Sequence, residues 1–284
     1  MCGSKRSLSL IDFSHVDILG HTLPILTSVK FLGVTFDSNL TFDVHISNIR
    51  RKCFLQVRNL YRVRKYVNAH CLFRLVDCLI LTHLDYCNSL FSSCKAKDIR
   101  KLQRIMYSAA RLLKRLPRFH HGMSNVISNL GWLPVKHRIQ FKLCCLVHRI
   151  IHGSAPAYLR GLVEPAASAR CFTQLRSRQA LVLRRPVFAK SVTRAAFASA
   201  APRAWNALPN DLKCESNFRV FKKKLRNMFM LEWAWHLFKC SVSSTLSIAS
   251  AIEMVVNYKY KYKIIKQSTK KAYNKTLYFV SKRS

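Results

Sequence analysis

The sequence predicts a mainly α fold with a small N-terminal β-hairpin region. In this α+β chain, a helical bundle precedes an irregular β-containing segment and a disordered basic tail. Short apolar runs broken by Gly20 and Pro24 precede residue 37, and apolar residues then recur every three to four positions. From Asn257 the composition shifts to Lys, Tyr, Asn and Ile, with Lys and Tyr the most frequent. Half of the 284 residues are hydrophobic, so the chain has enough apolar surface to fold.

The N-terminal third of the chain predicts strands followed by three helices. Residues 8–36 hold short apolar runs between turn residues, which is typical of strands. A first helix is predicted after Thr41, its N-cap, because the next apolar residues share one helical face. A second, from Asn68 to about residue 83, is almost wholly apolar and is predicted to lie in the core. A third runs from about residue 95 to residue 116 and ends before Pro117.

The rest of the chain predicts shorter helices and an irregular segment. Helices are predicted over residues 134–151, closed by a glycine, over residues 158–163, and from Ser216, as N-cap, to about residue 231. Residues 165–210 are rich in Pro and Arg and are predicted to be irregular, with strand-like stretches that could form one hairpin. Residues 233–284 are of low complexity and lack a core pattern, so this tail is predicted to be disordered.

The charge of the chain is strongly one-sided. It has 49 Lys and Arg against 12 Asp and Glu, a formal net charge of +37. Between Asp98 and Asp211 the only acid is Glu164, against 20 Lys and Arg. Such a surface repels itself unless a polyanion supplies the counter-charge. Nucleic acid is the partner that this charge favours, because Arg and aromatic residues accompany it, and an anionic membrane surface is the second candidate.

The pattern of cysteines indicates a reducing environment. The 11 Cys are odd in number and scattered through apolar runs, which predicts buried thiols in the nucleus or cytoplasm rather than a disulfide framework. Cys144, His148 and His152 are spaced four apart on one helix and are candidate zinc ligands, although a lone helix cannot complete a tetrahedral site. Trp132 and Trp205 could stack a base or anchor a loop, and the anchor is favoured.

Catalytic motifs are not found in the sequence. Two-metal phosphoryl transfer needs converging carboxylates. The closest acids are Asp37 with Asp43 and Asp12 with Asp17, which are interpreted as turn and cap residues. No Walker loop, nucleophile elbow or zinc-protease helix occurs. We therefore expect no catalytic residue, no cofactor, no metal and no small-molecule substrate.

Nine motifs follow one another over residues 29–230. They are KFLGVTF at 30–36, DSNLTFDVHI at 37–46, LDYCNSL at 84–90, KLQRIMYSAARL at 101–112, LGWLPVKHRIQFK at 130–142, HGSAPAYL at 152–159, LRSR at 175–178, AAPRAWNALPNDLK at 200–213 and FRVFKKKLR at 218–226. In this order they resemble the region that follows the polymerase palm in the reverse transcriptases of non-LTR (LINE-type, jockey-like) retrotransposons.

The resemblance implies a domain organisation and a missing active site. Residues 1–36 would be a remnant of palm strands with a primer-grip-like hairpin, residues 37–117 a helical thumb-like domain, and residues 118–232 a helical and irregular C-terminal region. In that family the metal-binding Asp pair lies upstream of KFLGV, and this sequence holds neither that pair nor the endonuclease. We therefore expect a nucleic-acid-binding fragment that is not an enzyme on its own.

The residues expected to meet nucleic acid fall into two sets. By resemblance, the first set approaches a primer terminus: Lys30, Phe31, Leu32 and Gly33. The second set is expected to contact phosphates from the first and third helices: Arg50, Arg51, Lys52, Arg58, Arg100, Arg104, Arg111 and Arg115. The expected partners are RNA, an RNA–DNA hybrid or DNA, together with a palm-containing chain.

Three alternatives stay open at this point. The chain could be a non-functional retroelement remnant that exposes the surface which once met a palm. It could bind a membrane surface through residues 218–238, although a spanning helix is not predicted because the most apolar window is too polar. An active polymerase or nuclease would need carboxylates assembled from distant acids.

Overall fold

The computed structural model describes residues 15–18, 20–165, 182–186 and 197–242. Helices predominate in these ranges, and two small antiparallel β hairpins lie at the N-terminal end, so the predicted mainly α class is confirmed. The chain divides into two compact units between Arg226 and Asn227, and the described part of the second is the C-terminal portion of the last helix.

Two hairpins form the N-terminal region, as the alternation of apolar runs and turn residues predicts. Strands β1 (His15–Ile18) and β2 (His21–Pro24) pair with each other, and β3 (Ser28–Phe31) pairs with β4 (Val34–Asp37). The β3–β4 turn has positive φ at both central residues, 45° at Leu32 and 80° at Gly33. Such a turn matches the right-handed twist of paired strands. The predicted strand region before residue 15 lies outside the described residues.

The first helix, α1 (Asp43–Val63), begins in a different way from the predicted one. Its N-cap is Phe42, at φ 60°, rather than Thr41. The carboxylate of Asp37 accepts hydrogen bonds from the backbone N–H groups of Thr41 (2.9 Å) and Phe42 (2.7 Å) and from the Thr41 hydroxyl (2.8 Å). Partial burial disfavours its ionised form, but these bonds outweigh the burial and lower the pKa of Asp37. Asp37 is therefore the turn residue that the sequence predicts.

The second helical stretch is interrupted and only half buried. Helix α2 (Ala69–Val76) begins at Asn68, whose side chain accepts from the Cys71 backbone N–H at 2.8 Å, as predicted. A π-helical turn, Asp77–Leu81, then leads into α3 (Thr82–Asp85). The prediction of an almost wholly buried helix is wrong, because the residues on the outer face are exposed.

The middle of the chain contains one helix that the sequence analysis missed. Helices α4 (Ala96–Lys114) and α6 (Val135–Ile151) match the predictions within one or two residues, and Gly153 after α6 has φ 69°. The missed helix, α5 (Met123–Asn129), lies between them and packs on α4. A 3₁₀ turn at Asn88–Ser93 lies between α3 and α4. A second 3₁₀ turn, at Ala157–Leu162, matches the predicted short helix.

The C-terminal part is more helical than predicted. Helix α7 (Phe197–Asn206) includes the buried Pro202 within the segment predicted to be irregular. Pro202 is the sixth of the ten residues, so the helix lacks one interior backbone donor, yet it continues to Asn206. Helix α8 (Asn210–Lys213) follows. The only paired β residues described in the segment are Pro165 and Leu183, which form an isolated bridge, and most of the predicted hairpin lies outside the described residues.

The last helix, α9 (Phe218–Val242), differs from its prediction at both ends. The Asn217 side chain accepts from the backbone N–H groups of Arg219 (3.0 Å) and Val220 (3.2 Å), so Asn217 takes the capping role assigned to Ser216. The helix continues past residue 231, so the predicted disorder is wrong for residues 233–242. The remainder of the predicted tail lies outside the described residues.

The thiols are only partly buried. Cys53, Cys144 and Cys145 are buried, but Cys71, Cys78 and Cys214 are exposed, so the prediction of buried thiols holds for part of the set. None of the described cysteines forms a disulfide. Burial raises the pKa of the Cys53 thiol to about 11, which keeps it protonated and unreactive at neutral pH.

A buried histidine joins α6 to the C-terminal helices. His148 is 1% exposed, and its Nε2–H donates to the Glu215 carbonyl at 2.8 Å. Its ring stacks on Phe221, with 4.3 Å between centroids, and Trp205 lies beside them. Trp132 and Trp205 are both buried, so they anchor the core, as favoured, and cannot stack a base.

We predict that acid destabilises the fold partly through His148. Burial lowers the pKa of His148 below 6.5, and the hydrogen bond to Glu215 only partly opposes this. The unfolded chain therefore takes up a proton that the folded chain resists. The stabilisation is fully present above pH 6.5 and is lost as the pH falls through the folded pKa.

Urea unfolding at about pH 7.5 and about pH 5.5 measures this effect. The free energy of unfolding should fall with acid in the parent chain and fall less in H148Q. A smaller fall is expected to persist, because burial also lowers the pKa of His45. The exposed His70 provides the matched control, H70Q. An equal pH dependence in H148Q and the parent would contradict the assignment.

Candidate nucleic-acid interface

The first helix presents a basic face directly opposite its core face. The residues of α1 that point inward are His45, Ile46, Ile49, Cys53, Val57 and Leu60. At about 100° per residue, Arg51, Arg58 and Arg62 point away from these residues, and all three are exposed. We call Arg51, Arg58 and Arg62 the α1 stripe. The apolar periodicity that buries one side of α1 thus produces a row of guanidinium groups on the other.

The predicted group Arg50, Arg51 and Lys52 does not form a single patch. The three are exposed, but Arg50 and Lys52 are about 200° apart around the helix and lie on opposite flanks of the α1 stripe. Lys52 is near the core side, where its charge adds to burial in lowering the pKa of His45. Arg51 and Arg58 therefore share one face of α1, and phosphate contacts by Arg50 and Lys52 stay a prediction.

The predicted residues on α4 form a shorter row. Arg100 and Arg104 are exposed on its outer face, and Arg115 follows its end at φ 52°. Arg111 is not fully outside as predicted: it is half-buried, and its Nε has no hydrogen-bond partner among the described residues. The neighbouring Tyr107, one turn earlier, contacts Ser124 of α5 with 3.3 Å between their hydroxyl oxygens. Helix α5 lies against this end of α4.

The two basic rows do not combine into one surface. Helices α1 and α4 pack against each other. Their contact uses the buried faces, so the α1 stripe and the row at Arg100 and Arg104 point away from it. The sequence predicts basic faces on both helices, and the structure places them on separate sides of the helix pair.

The β3–β4 hairpin holds the first predicted set at an exposed tip. Lys30, Phe31, Leu32 and Gly33 are all exposed, Leu32 to 74%. The Tyr86 hydroxyl donates to the Leu32 carbonyl at 2.6 Å. The Tyr86 ring also lies 3.6 Å from the position that a Cβ would take at Gly33. The tip is therefore fastened to the residue that follows α3.

An aromatic cluster holds the opposite end of this hairpin. The rings of Phe36 and Phe42 meet edge to face with 5.7 Å between centroids, and those of Phe42 and Phe91 do so at 6.1 Å. His45 lies 5.8 Å from the Phe91 ring, and its Nδ1 accepts from the Thr35 backbone N–H at 3.4 Å. The exposed tip thus extends from a packed base.

The cations predicted to bind phosphate have no acidic partner in the described part of the chain. The ion pairs found there join Lys101 to Asp98, Arg138 to Asp85, Arg184 to Glu164 and Lys224 to Glu215. Residues 44–76 contain eight Lys and Arg and no acid. The α1 stripe therefore projects charge that the protein does not neutralise locally.

The candidate metal ligands are not assembled with a second element. Cys144 and His148 are buried, and the ring of the exposed His152 lies 4.2 Å from that of His148. The Nε2 atom of His148 is already engaged by the Glu215 carbonyl. Within the described ranges, no three His, Cys, Asp or Glu side chains are placed to hold a metal ion.

We predict that Y86F loosens the hairpin tip without unfolding the chain. The substitution removes the hydrogen bond to the Leu32 carbonyl and keeps the ring beside Gly33. Hydrogen exchange of the backbone N–H groups at residues 31–34 should accelerate, while exchange in α1 stays unchanged. Y66F, at another exposed tyrosine, is the matched control. Unchanged exchange at the tip in Y86F would show that the bond does not hold the hairpin.

The resemblance to non-LTR retrotransposon reverse transcriptases depends on short motifs in one order between residues 30 and 226. No protein-family model, no curated protein and no solved structure matches the chain. The family, and any activity or partner that it implies, therefore stays a prediction.

Proposed function

We propose that this chain binds nucleic acid without sequence specificity, through contacts to phosphates. The observation that carries the proposal is the α1 stripe: three exposed arginines in a row, in a stretch of 33 residues (44–76) that contains no acid. Guanidinium groups match the geometry of phosphate oxygens, and contacts of this kind position a protein on nucleic acid without reading base edges.

The dimensions of the stripe suit a polyanion better than a small anion. Arg51 and Arg62 are separated by about 16 Å along the helix axis. That distance covers several phosphates of a nucleic-acid backbone, whereas a single phosphate would meet one arginine. Because the three side chains are exposed, they can adapt to different backbone geometries, and this favours binding that tolerates any sequence.

The family resemblance supports a more specific form of this proposal. If the chain corresponds to the region after the palm of an RNA-directed DNA polymerase, its ligand would be an RNA–DNA hybrid, RNA or DNA held beside a palm-containing chain. The exposed hairpin tip at Lys30, Phe31, Leu32 and Gly33 would then face the primer end. The chain would contribute binding, and catalysis would come from elsewhere.

A non-functional remnant is the second candidate, and one observation favours it. Both hairpins and the segment between them expose apolar residues, including Val16, Leu23, Leu26 and Val29. Exposed apolar surface of this kind promotes association when nothing covers it. Sedimentation of the chain without nucleic acid should show polydisperse species if this candidate is right.

Binding to a membrane surface has less support. No helix within the described ranges combines the length and apolar character needed to cross a bilayer. If residues 218–238 bind a membrane surface, the chain should float with anionic vesicles but not with neutral ones.

We predict that the triple substitution R51Q/R58Q/R62Q weakens duplex binding and flattens its salt dependence. The logarithm of the binding constant falls with log salt, and each lost phosphate contact on a duplex makes this slope less steep by about 0.9. The triple variant should therefore have a slope that is less steep by about 2.7. The measurement is fluorescence anisotropy with a labelled RNA–DNA hybrid, duplex DNA and single-stranded RNA over a salt series.

The matched control removes the same charge at exposed positions of α9: R219Q/K222Q/K223Q. It should reduce the slope by less than the α1 variant does. Equal effects would show that net charge alone drives binding and would contradict the α1 stripe. Absence of binding at about 50 mM salt would refute the proposed function and favour the remnant.

A further inference from the structure

Two tyrosines lie beside the C-terminal end of the α1 stripe. Tyr61 lies in the last turn of α1, and Tyr66 lies in the turn between α1 and α2. Residues 61–66 read YRVRKY, so these rings flank three cations. Tyr66 is 78% exposed and Tyr61 is 39% exposed. Neither ring contributes to the described core.

The tyrosines are carried by ordered backbone. The Arg64 N–H donates to the Leu60 carbonyl at 2.9 Å, and the Tyr66 N–H donates to the Val63 carbonyl at 2.9 Å. Asn68, two residues later, caps α2. The turn is therefore hydrogen-bonded between two helices, and the rings are held at a defined place relative to the α1 stripe.

Each ring is also partly oriented by a cation. The Arg64 guanidinium carbon lies 4.7 Å from the Tyr61 ring centroid, and the Lys65 ammonium lies 5.0 Å from that of Tyr66. Cation–π contacts reduce the freedom of an exposed side chain. With 78% of Tyr66 exposed, Lys65 over one face leaves the other open to solvent.

We infer that Tyr61 and Tyr66 stack unpaired bases, so that the preferred ligand of this face is a duplex that continues into a single strand. This inference rests on the proposed function, because it needs the α1 stripe to hold the duplex phosphates. An aromatic ring beside backbone-binding cations is the arrangement that binds single strands without sequence preference. Paired bases inside a duplex present edges rather than open faces to a protein surface, so the rings would find stacking partners in an unpaired tail and not along the duplex.

The order of the residues gives the geometry of binding. Arg51, Arg58 and Arg62 follow the duplex backbone along α1, and Tyr61 and Tyr66 stand where the helix ends. Arg64 and Lys65 lie between the rings in sequence and can neutralise phosphates of the unpaired strand. The chain would then recognise the junction itself, through charge on one side and stacking on the other.

The test uses the full chain and three probes built on one duplex of about 16 base pairs. The first probe is blunt. The second carries a tail of about eight thymidines, prepared with either polarity, and the third carries a tail of abasic sugars of the same length. The thymidine and abasic tails have equal phosphate charge, so the difference between them reports stacking alone.

We expect the thymidine tail to bind more tightly than the abasic tail in at least one polarity. Y61A and Y66A should each weaken binding of the thymidine tail about five- to fiftyfold and leave the blunt and abasic probes unchanged. Y61F and Y66F should bind like the parent, because phenylalanine stacks equally well. The control is Y158A, at a tyrosine that is 75% exposed on a 3₁₀ turn, and it should bind like the parent.

Failure of this inference is distinguishable from failure of the proposed function. Equal binding of the thymidine and abasic tails by the parent, or parent-like binding of the thymidine tail by Y66A, would overturn the stacking site. Blunt-duplex binding that still depends on the α1 stripe would keep the proposed function in that case. Loss of all binding in the parent would overturn both.

Discussion

The one-sided charge is the constraint on which the rest of the structure depends. With 12 acids to 49 Lys and Arg, the chain cannot pair most of its cations, and several acids are already engaged. Asp37 organises the entry to α1, and the 1% exposed Asp98 pairs with Lys101 on α4. The remaining cations must stay in water, and their mutual repulsion is relieved when an anionic ligand displaces their counterions.

This constraint acts together with the apolar periodicity of the helices. Burying one face of α1 determines which cations face outward and in what direction. Arg51 and Arg58 gain a common direction because they are about two turns apart, whereas the adjacent Lys52 is rotated toward the core. The β3–β4 hairpin is held by other interactions, because its tip buries little surface. Aromatic packing holds one end of the hairpin, and the hydrogen bond from Tyr86 holds the tip. A charged helix face and a fastened hairpin are thus built by separate interactions.

Much of this fold could be predicted from periodicity, because α1, α4 and α6 bury regular apolar stripes, and α4 and α6 end shortly before Pro117 and Gly153. Short elements with long-range partners could not. Helix α5 has only seven residues and is held by packing on α4, so the helix and its contact from Ser124 to Tyr107 were missed. Asn217 rather than Ser216 caps α9, and Asp37 accepts hydrogen bonds from residues four and five positions later. Both details depend on side-chain geometry that sequence spacing does not encode.

The π-helical turn at Asp77–Leu81 links the length of one helix to the position of the hairpin. A π turn holds one residue more than an α turn, so everything after it is rotated relative to a regular continuation of α2. Asp85, which pairs with Arg138, and Tyr86, which holds Leu32, both lie beyond this turn. A regular α-helix through the same residues would instead swing both side chains by about 100°. The π turn therefore sets the direction in which Asp85 and Tyr86 leave the helix, and both contacts depend on backbone geometry as well as on side-chain chemistry.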